Sequence, residues 1–363
     1  MSFDKSKIVG ALCKVVDPKT GKDIISMNMV RDLEIDGNNI NFTLELPSLD
    51  AETKQSLNFA CMGRIQEVYP MAQVNVHVMS KATSGAPEKP LDHIKNIIAV
   101  ASGKGGVGKS TVATNLALML QEMGAKVGLV DADLYGPSIP TMFGLQGQRP
   151  QVRTVHGKQK IVPLKAYGMP VMSMGFIIEP EQAVVLRGPR LSGIIKQFFN
   201  DVLWEPLDYL IVDLPPGTGD IQLSLVQTVP VTGAVVVTTP QQVAMVDAVK
   251  AISMFELPSV GVPILGVVEN MSWFTPEELP DNKYYLFGKG GGKELAKASN
   301  SMLLGQIPLV QGIREAGDFG KPVVLHKEPQ TTRAFRKVAE NTLRQIAVRN
   351  EMMAPTKIVD MQG

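Results

Sequence analysis

Cysteine is almost absent from this chain of 363 residues, which contains only Cys13 and Cys61. So few thiols exclude the dense disulfide framework of a small secreted domain and favour a reducing compartment. No run of about 18 apolar residues occurs, so the sequence predicts no membrane span. The first residues, MSFDKSKIVGALCKVVDP, are charged throughout, unlike a secretory signal. We therefore expect a cytoplasmic protein without stable membrane insertion.

An excess of either charge is also lacking. Lys and Arg number 36 against 35 Asp and Glu, which gives a net charge of +1. Proteins that bind nucleic acids usually carry a basic excess, so we expect no nucleic-acid partner. The hydrophobic share of 44% and the charged share of 20% are typical of globular proteins. The chain is more than twice as long as a domain of about 150 residues, and this favours two domains.

A stretch rich in proline, glycine and charge, KATSGAPEKPLD, indicates a linker at residues 81–92. It separates a small domain, residues 1–80, from a large one, residues 93–363. Apolar spacing in the small domain predicts an α+β module of order αββαβ. Its expected helices lie near 8–16 and 51–68, and its expected strands near 27–35, 40–46 and 73–78.

The large domain alternates β-branched apolar runs with helical segments. Runs without apolar–polar alternation are typical of strands buried on both faces of a parallel sheet. Helices between such strands indicate βαβ units. We therefore predict an α/β fold with a mostly parallel sheet flanked by helices, and a final helix near 331–352 that packs on the core. The expected strands are 97–102, 127–133, 209–215, 233–240 and 264–270.

The first of these strands runs into the sequence GKGGVGKST, and a helix follows. This matches the phosphate-binding loop G-x-x-x-x-G-K-[ST] in its strand–loop–helix context. Glycines let backbone N–H groups approach phosphate oxygens, and the helix N-terminus adds a positive dipole end. Lys109 can reach the β- and γ-phosphates, and the Ser110 hydroxyl can bind Mg²⁺. The predicted nucleotide-binding residues are Gly103, Lys104, Gly105, Gly106, Val107, Gly108, Lys109, Ser110 and Thr111.

Carboxylates end two of the other predicted strands. Asp213 follows an apolar run, as expected for an aspartate that holds Mg²⁺ opposite Ser110. Asp131 and Asp133 end the strand VGLVDAD. A strand-end aspartate can also cap a following helix, and this alternative stays open for Asp213 and Asp133.

A second lysine, Lys104, follows the first glycine of the loop. The pattern K-G-G-x-G-K-[ST] resembles the deviant Walker A subgroup of P-loop ATPases, which includes MinD, ParA and the nitrogenase iron protein. The resemblance implies a homodimer that encloses the nucleotide, in which Lys104 contacts phosphate in the opposite subunit. The D-x-D and GPS residues resemble switch I, which implies that Asp133 lies near the metal and the attacking water and that Asp131 supports the site. Residues 215–220, PPGTGD, resemble switch II.

The same resemblance implies an adenine site at Asn270 and at the loop near Pro308. An amide can pair with N6 and N7 of adenine, so the chemistry is suitable. Considered without the resemblance, an asparagine at a strand end is as often a turn former.

The complete arrangement resembles the Mrp/ApbC type of P-loop ATPase, the iron–sulfur cluster carrier proteins. The resemblance implies a homodimeric, slow, Mg²⁺-dependent ATPase whose partners are iron–sulfur client or assembly proteins. It implies catalytic roles for Lys104, Lys109 and Asp133, with Ser110, Asp133 and Asp213 at the metal. The phrases that carry it are ASGKGGVGKSTVATNLA, DADLYGPSIPTMFG, LRGPR, YLIVDLPPGTGD, ENMSWF, YYLFGKGG and, in the small domain, KVVDPKTGKDIISMNMVRDL.

One element of that family is missing. Most members carry a C-x-x-C pair after the S-[YW]-F segment, so that a homodimer offers four thiolates to a cluster. Here the segment reads WFTPEELP at 273–280, and no cysteine follows Cys61. Glu277 and Glu278 are hard oxygen ligands and poor replacements for thiolates. An iron–sulfur cluster therefore stays open as cargo, with ligands that the sequence does not identify.

The two cysteines fall on the apolar faces of predicted helices, so we expect both to pack in the core. A cluster shared between chains, or a thiol used in transfer, stays open as well. The missing pair leaves a second function open, a MinD/ParA-like ATP-dependent regulatory or positioning switch without cluster cargo. A third is an ATP-binding adaptor that recruits targets through the small domain. The chain's end is neither basic nor strongly amphipathic, which argues against a membrane anchor.

Overall fold

The computed structural model describes residues 3–18, 21, 23–25, 29–46, 51–80, 91, 93–155, 157–178 and 189–353. The chain divides into two compact units, Met1–Glu88 and Lys89–Gly363. Most of the expected linker, 81–90 and 92, lies outside the described residues, as do the first three residues of LRGPR and residues 354–363.

The first unit is a three-stranded sheet with two helices. Its elements are α1 (Lys5–Leu12), β1 (Val30–Asp36), β2 (Asn39–Leu46), α2 (Ala51–Val68) and β3 (Gln73–Ser80). The strand order is β1-β2-β3, with β1 antiparallel and β3 parallel to β2. Alternate residues of β2 face the helices, and Ile40, Phe42 and Leu44 are buried there with Leu57 of α2. Burial of this one apolar face holds the unit together.

The second unit is built on an eight-stranded sheet. Its strands are β4 (Ile94–Ala101), β5 (Val127–Asp131), β8 (Leu164–Ala166), β9 (Met169–Ser173), β10 (Leu207–Asp213), β11 (Gly233–Thr238), β12 (Ile264–Glu269) and β13 (Leu303–Gln306). They lie in the order β13-β12-β11-β4-β10-β5-β9-β8 and are parallel except for β8, which is antiparallel to β9. The predicted fold class is confirmed, and all five predicted strands are present.

Helices cover the sheet. They are α3 (Lys109–Glu122), α4 (Ile139–Met142), α5 (Pro189–Asp201), α6 (Asp220–Thr228), α7 (Gln242–Glu256), α8 (Gly291–Ala298), α9 (Gln311–Asp318) and α10 (Pro329–Met352). The predicted core packing of the last helix is confirmed, since Phe335, Val338 and Ala339 of α10 are completely buried. Within the described part of the chain, we find no helix long and apolar enough to cross a bilayer.

A two-stranded hairpin, β6 (Gln151–Val155) and β7 (Lys158–Val162), lies outside the main sheet. Its strands were not among those predicted from the sequence. Most of its residues are exposed or half-buried, and no run of apolar residues indicates the strands.

The two cysteines differ in their surroundings. Cys61 of α2 is completely buried, as expected, and burial raises the pKa of its thiol to about 12. The expectation that Cys13 packs in the core is wrong, because α1 ends at Leu12 and Cys13 is exposed in the turn that follows. Leu12 before it and Val15 after it are the residues that pack in the core.

Candidate functional site

The glycine loop connects β4, near the centre of the sheet, to the N-terminus of α3. Gly106 and Gly108 have φ angles of 82° and 83°, a conformation that residues with a side chain rarely adopt. A Cβ at Gly103 would overlap the backbone of Asp247 in α7, and one at Gly108 would overlap the Asn270 amide. Three of the four loop glycines are therefore required by backbone conformation or by close approach.

Four of the predicted residues meet where β5, β10 and α3 converge. Lys109 Nζ lies 2.6 Å from Asp213 Oδ1 and 3.9 Å from Asp133 Oδ2. It also donates a hydrogen bond to Ser110 Oγ at 3.2 Å. The Lys109 and Asp213 side chains are 6% and 0% exposed. One ammonium thus offsets two nearby carboxylates in a buried site.

The buried carboxyl groups have shifted proton affinities. Burial raises the pKa of Asp213, while the charge of Lys109 opposes the shift. Burial also raises the pKa of Asp131, with a further contribution from the charge of Asp213. This crowding of negative charge makes the site receptive to cations.

The structure fits a divalent cation bound with a phosphate group. Asp213 Oδ2 is buried and has no hydrogen-bond partner among the described residues. An orphaned carboxylate oxygen beside the Ser110 hydroxyl is a suitable donor set for Mg²⁺, which binds few protein ligands and takes the rest from phosphate and water. Among the described residues, no group of three or more His, Cys, Asp or Glu side chains could hold a metal ion.

Lys104 lies in the same loop but apart from this cluster. Its side chain is exposed and forms no hydrogen bond or ion pair with any described residue. Its carbonyl oxygen, in contrast, accepts a hydrogen bond from Ser102 Oγ at 3.0 Å. The backbone of Lys104 is therefore held while its ammonium stays available.

A cavity of about 610 Å³ opens beside the glycine loop. Asn270 and Pro308, the residues expected at the adenine, both line it. Asn270 is 6% exposed, and its Nδ2 donates to the Val107 carbonyl at 2.9 Å, so this amide also holds the loop. Other residues along the cavity wall are Gly108, Thr111, Pro137, Thr141, Ile313 and Arg314.

Sequence reasoning missed Glu269, which precedes Asn270. The carboxylate is completely buried and accepts hydrogen bonds from Ser272 Oγ at 2.8 Å, the Gly292 N–H at 2.6 Å and Gln306 Nε2 at 2.6 Å. It thereby ties the end of β12 to the end of β13 and to the start of α8. An acid within the apolar run ILGVVEN is the signal that would have identified it.

The segment 273–280, where the sequence lacks the expected cysteine pair, is aromatic and acidic. Phe274 forms isolated bridges with Tyr284 and Leu309, and Lys283 Nζ lies 4.2 Å from the centroid of the Trp273 ring. Glu277 and Glu278 are exposed. This segment offers no soft ligand to an iron–sulfur cluster.

The fold and the glycine loop define a P-loop nucleotide-binding protein. Residues 93–343 match the family model described as NUBPL iron-transfer P-loop NTPase, and residues 5–78 match the model described as iron–sulfur cluster assembly protein. The chain belongs to the NUBPL iron-transfer P-loop NTPase family.

Relatives match along nearly the whole chain. The iron–sulfur cluster carrier protein of Synechocystis sp. is 45% identical over 337 residues, which are 92% of this chain and 95% of that protein. The carrier protein of Escherichia coli (strain K12) is 47% identical over 264 residues, 72% of this chain and 70% of that one.

Solved structures share the fold of the second unit. The nucleotide-binding protein of Archaeoglobus fulgidus in complex with ADP has a TM-score of 0.57 and 37% identity, covering 68% of this chain and 95% of that chain. The septum site-determining protein MinD of Pyrococcus horikoshii complexed with Mg-ADP has a TM-score of 0.52 and 25% identity, covering 70% and 98%.

Proposed function

We propose that this protein is an ATP-binding and ATP-hydrolysing iron–sulfur cluster carrier or assembly factor that acts as a homodimer. The observation that carries the ATPase assignment is the cluster of Lys109, Ser110, Asp133 and Asp213 around the glycine loop. The cargo is assigned from the relatives named iron–sulfur cluster carrier proteins, which match over most of the chain. The scarcity of cysteine supports work in a reducing compartment such as the cytoplasm.

The loop and its lysine bind the phosphates. Backbone N–H groups of residues 103–111 and the N-terminus of α3 face the negative charge, and Lys109 turns from Asp213 to the β- and γ-phosphates. Asp133 Oδ2 lies 3.9 Å from Lys109 Nζ, and by the resemblance to switch I it would orient the attacking water. Mg²⁺ would be held by Ser110, Asp133 and Asp213, and it would neutralise part of the phosphate charge. Catalysis of this kind consists mainly of positioning and electrostatics, and we expect a slow turnover.

Asn270 and Pro308 form the base end of the site. Both line the cavity that begins at Gly108 of the loop. The Asn270 amide has hydrogen-bonding capacity left after its contact with Val107, and it would pair with adenine. A nucleotide would then extend from α3 toward α9.

Lys104 supports the homodimer. Its ammonium is exposed and has no partner among the residues that the structure describes. In a dimer that encloses two nucleotides, Lys104 of one chain would contact phosphate bound to the other and complete the catalytic set with Lys109 and Asp133.

The cluster itself is cargo, and this chain has few thiols for it. Cys13 is the exposed thiol, whereas Cys61 is buried with a pKa of about 12. Direct carriage by this chain's own thiols would therefore use Cys13, with further ligands from a second chain or a client protein. The lack of cysteine after Cys61 favours, as the second candidate, an ATP-dependent regulatory or positioning switch without cluster cargo.

Anaerobic reconstitution with iron and sulfide separates these two candidates. For a carrier, we expect the purified dimer to gain cluster absorbance with bound iron and sulfide. Cys13→Ser should lose this cluster, and the matched variant Cys61→Ser should keep it. A protein that hydrolyses ATP yet acquires no iron or sulfide would contradict direct carriage and support the switch.

A further inference from the structure

The carboxylate of Asp131 is completely buried at the end of β5, two residues before Asp133. Its Oδ1 accepts a hydrogen bond from the backbone N–H of Asp133 at 3.1 Å. Its Oδ2 accepts one from the backbone N–H of Ile139 at 3.2 Å. A single side chain thus holds both ends of the loop 133–139, and the proposed binding of ATP gives it no role.

Ser173, at the end of β9, supports Asp131 from the neighbouring strand. The two residues stand opposite each other in the parallel β5–β9 pair. Ser173 Oγ is completely buried, donates to Asp131 Oδ2 at 3.0 Å and accepts from the Gly175 N–H at 3.0 Å. Asp131 therefore has three donors in a completely buried setting, where hydrogen bonds are strong and a lost partner is costly.

The loop that Asp131 holds carries groups at the phosphate site. Asp133 Oδ1 accepts from the Gly136 N–H at 3.2 Å, and its Oδ2 lies 3.9 Å from Lys109 Nζ. Pro137 and Ser138 line the cavity beside the glycine loop. A shift at either end of the loop would move Asp133 relative to Lys109. Displacements of about 1 Å near reacting groups can reduce a rate by about 10²-fold.

Two simpler roles explain the contacts less well. A metal ligand needs accessible lone pairs, yet three donors already use three of the about four lone-pair positions of the Asp131 carboxylate, which is completely buried. A cap for α4 would account for the Ile139 contact, but α4 has only four residues and the cap would leave the Asp133 contact unexplained.

We propose that Asp131 is a positioning residue for ATP hydrolysis: with Ser173 it holds both ends of the loop 133–139, so that Asp133 keeps its place beside Lys109. The kinetic consequence rests on the proposed ATPase function. The hold on the loop rests on the hydrogen bonds alone.

Asp131→Asn in the full chain tests both parts. Asparagine has nearly the same shape, but its NH₂ group cannot accept a hydrogen bond, so at least one of the backbone donors loses its acceptor. In nucleotide-free protein, we expect the Asp133 or Ile139 amide to exchange hydrogen at least about tenfold faster. In the ATPase assay, kcat should fall about 10- to 100-fold, while KM for ATP changes by less than about threefold.

Two further variants complete the test. Asp208→Asn is the matched control. Asp208 also accepts a backbone hydrogen bond, from the Lys126 N–H at 2.8 Å, but it lies near the start of β10, at the opposite end of that strand from Asp213. The kcat of this variant should equal that of the parent. Ser173→Ala removes one donor from Asp131 and should lower kcat by a smaller factor than Asp131→Asn does. If Asp131→Asn does not fold, Ser173→Ala tests whether Asp131 positions the loop.

Unchanged amide exchange and unchanged kcat in these variants would overturn the proposal. So would a loss of ATP affinity and thermal stability in proportion to the rate, because Asp131 would then serve the fold alone. A parent chain that does not hydrolyse ATP would refute the proposed function instead. In that case, the exchange rates still decide whether Asp131 holds the loop.

Discussion

At the scale of single residues, the charge balance around Lys109 explains most of the site. Its ammonium lies 2.6 Å from Asp213 and 3.9 Å from Asp133, and all three side chains are largely buried. Burial raises the pKa of Asp213, and the nearby ammonium offsets part of this shift because it stabilises the ionised carboxylate. In the proposed mechanism a bound triphosphate draws Lys109 away, and a cation at Asp213 would restore the balance.

Lys109→Ala should abolish ATP binding, because the variant loses the ammonium that reaches the phosphates. It should also unfold more easily, since removing one partner of a buried ion pair costs about 3–5 kcal/mol. Calorimetric titration with ATP and urea unfolding measure the two effects. Lys250→Ala, which removes an exposed lysine paired with Asp247, is the control and should change neither. Normal ATP affinity in the Lys109 variant would refute the assignment of the loop.

The two thiols should react with an alkylating reagent at very different rates. At pH 8 we expect iodoacetamide to label Cys13 and leave Cys61 unmodified, because Cys13 is exposed, whereas Cys61 is buried and burial raises the pKa of its thiol. Mass spectrometry of the folded chain should show one label, and of the urea-unfolded chain two. Rapid labelling of Cys61 in the folded chain would contradict its burial.

At the scale of elements, the sequence was most informative where patterns are local. The strands β4, β5, β10, β11 and β12 could be predicted because unbroken β-branched runs are typical of a sheet covered on both faces. The hairpin of β6 and β7 could not, since it buries too little to leave an apolar pattern.

The candidate site shows the same limit. The loop residues and Asp213 were identified from short motifs, and the structure brings Lys109, Ser110, Asp133 and Asp213 together. The contacts of Asp131 with Ser173 and of Glu269 with Gln306 join residues 42 and 37 positions apart, which no local spacing reveals. The exposure of Cys13 was missed because α1 ends at Leu12, four residues before the end of the helix predicted near 8–16.

The glycines of the loop should differ in their tolerance of a side chain. Gly103→Ala would place a Cβ inside the Asp247 backbone, so α7 or the loop must shift, at a cost of about 1–3 kcal/mol and with weaker ATP binding. Gly105→Ala is the matched control for stability, because a Cβ there meets no atom of the chain within 4 Å. Thermal unfolding compares the two variants, and ATP titration compares Gly103→Ala with the parent. Equal stability of the two variants, together with parent ATP affinity for Gly103→Ala, would show that α7 does not press on the loop.

At the scale of the whole molecule, the proposal joins a P-loop unit to a smaller unit that matches an iron–sulfur assembly family. The net charge of +1 provides no general attraction to polyanions, so recognition of partners must come from specific surfaces. The proposed function would then depend on ATP-dependent pairing of two chains, rather than on a cluster site formed by a single chain.

Lys104→Ala should separate nucleotide binding from pairing of chains. Because the Lys104 ammonium contacts no described residue of its own chain, the variant should bind ATP with nearly normal affinity. It should lose ATP-induced dimerisation and most of its hydrolysis. Light scattering with and without ATP measures the first loss, and phosphate release the second. An ATP-stabilised dimer with full turnover would contradict the cross-subunit role.

The most direct measurement is phosphate release from ATP by the full chain, with and without magnesium, beside Lys109→Ala. The account predicts slow, saturable hydrolysis that requires magnesium and disappears in the variant. A parent chain that neither binds nor hydrolyses ATP in the presence of magnesium would contradict it.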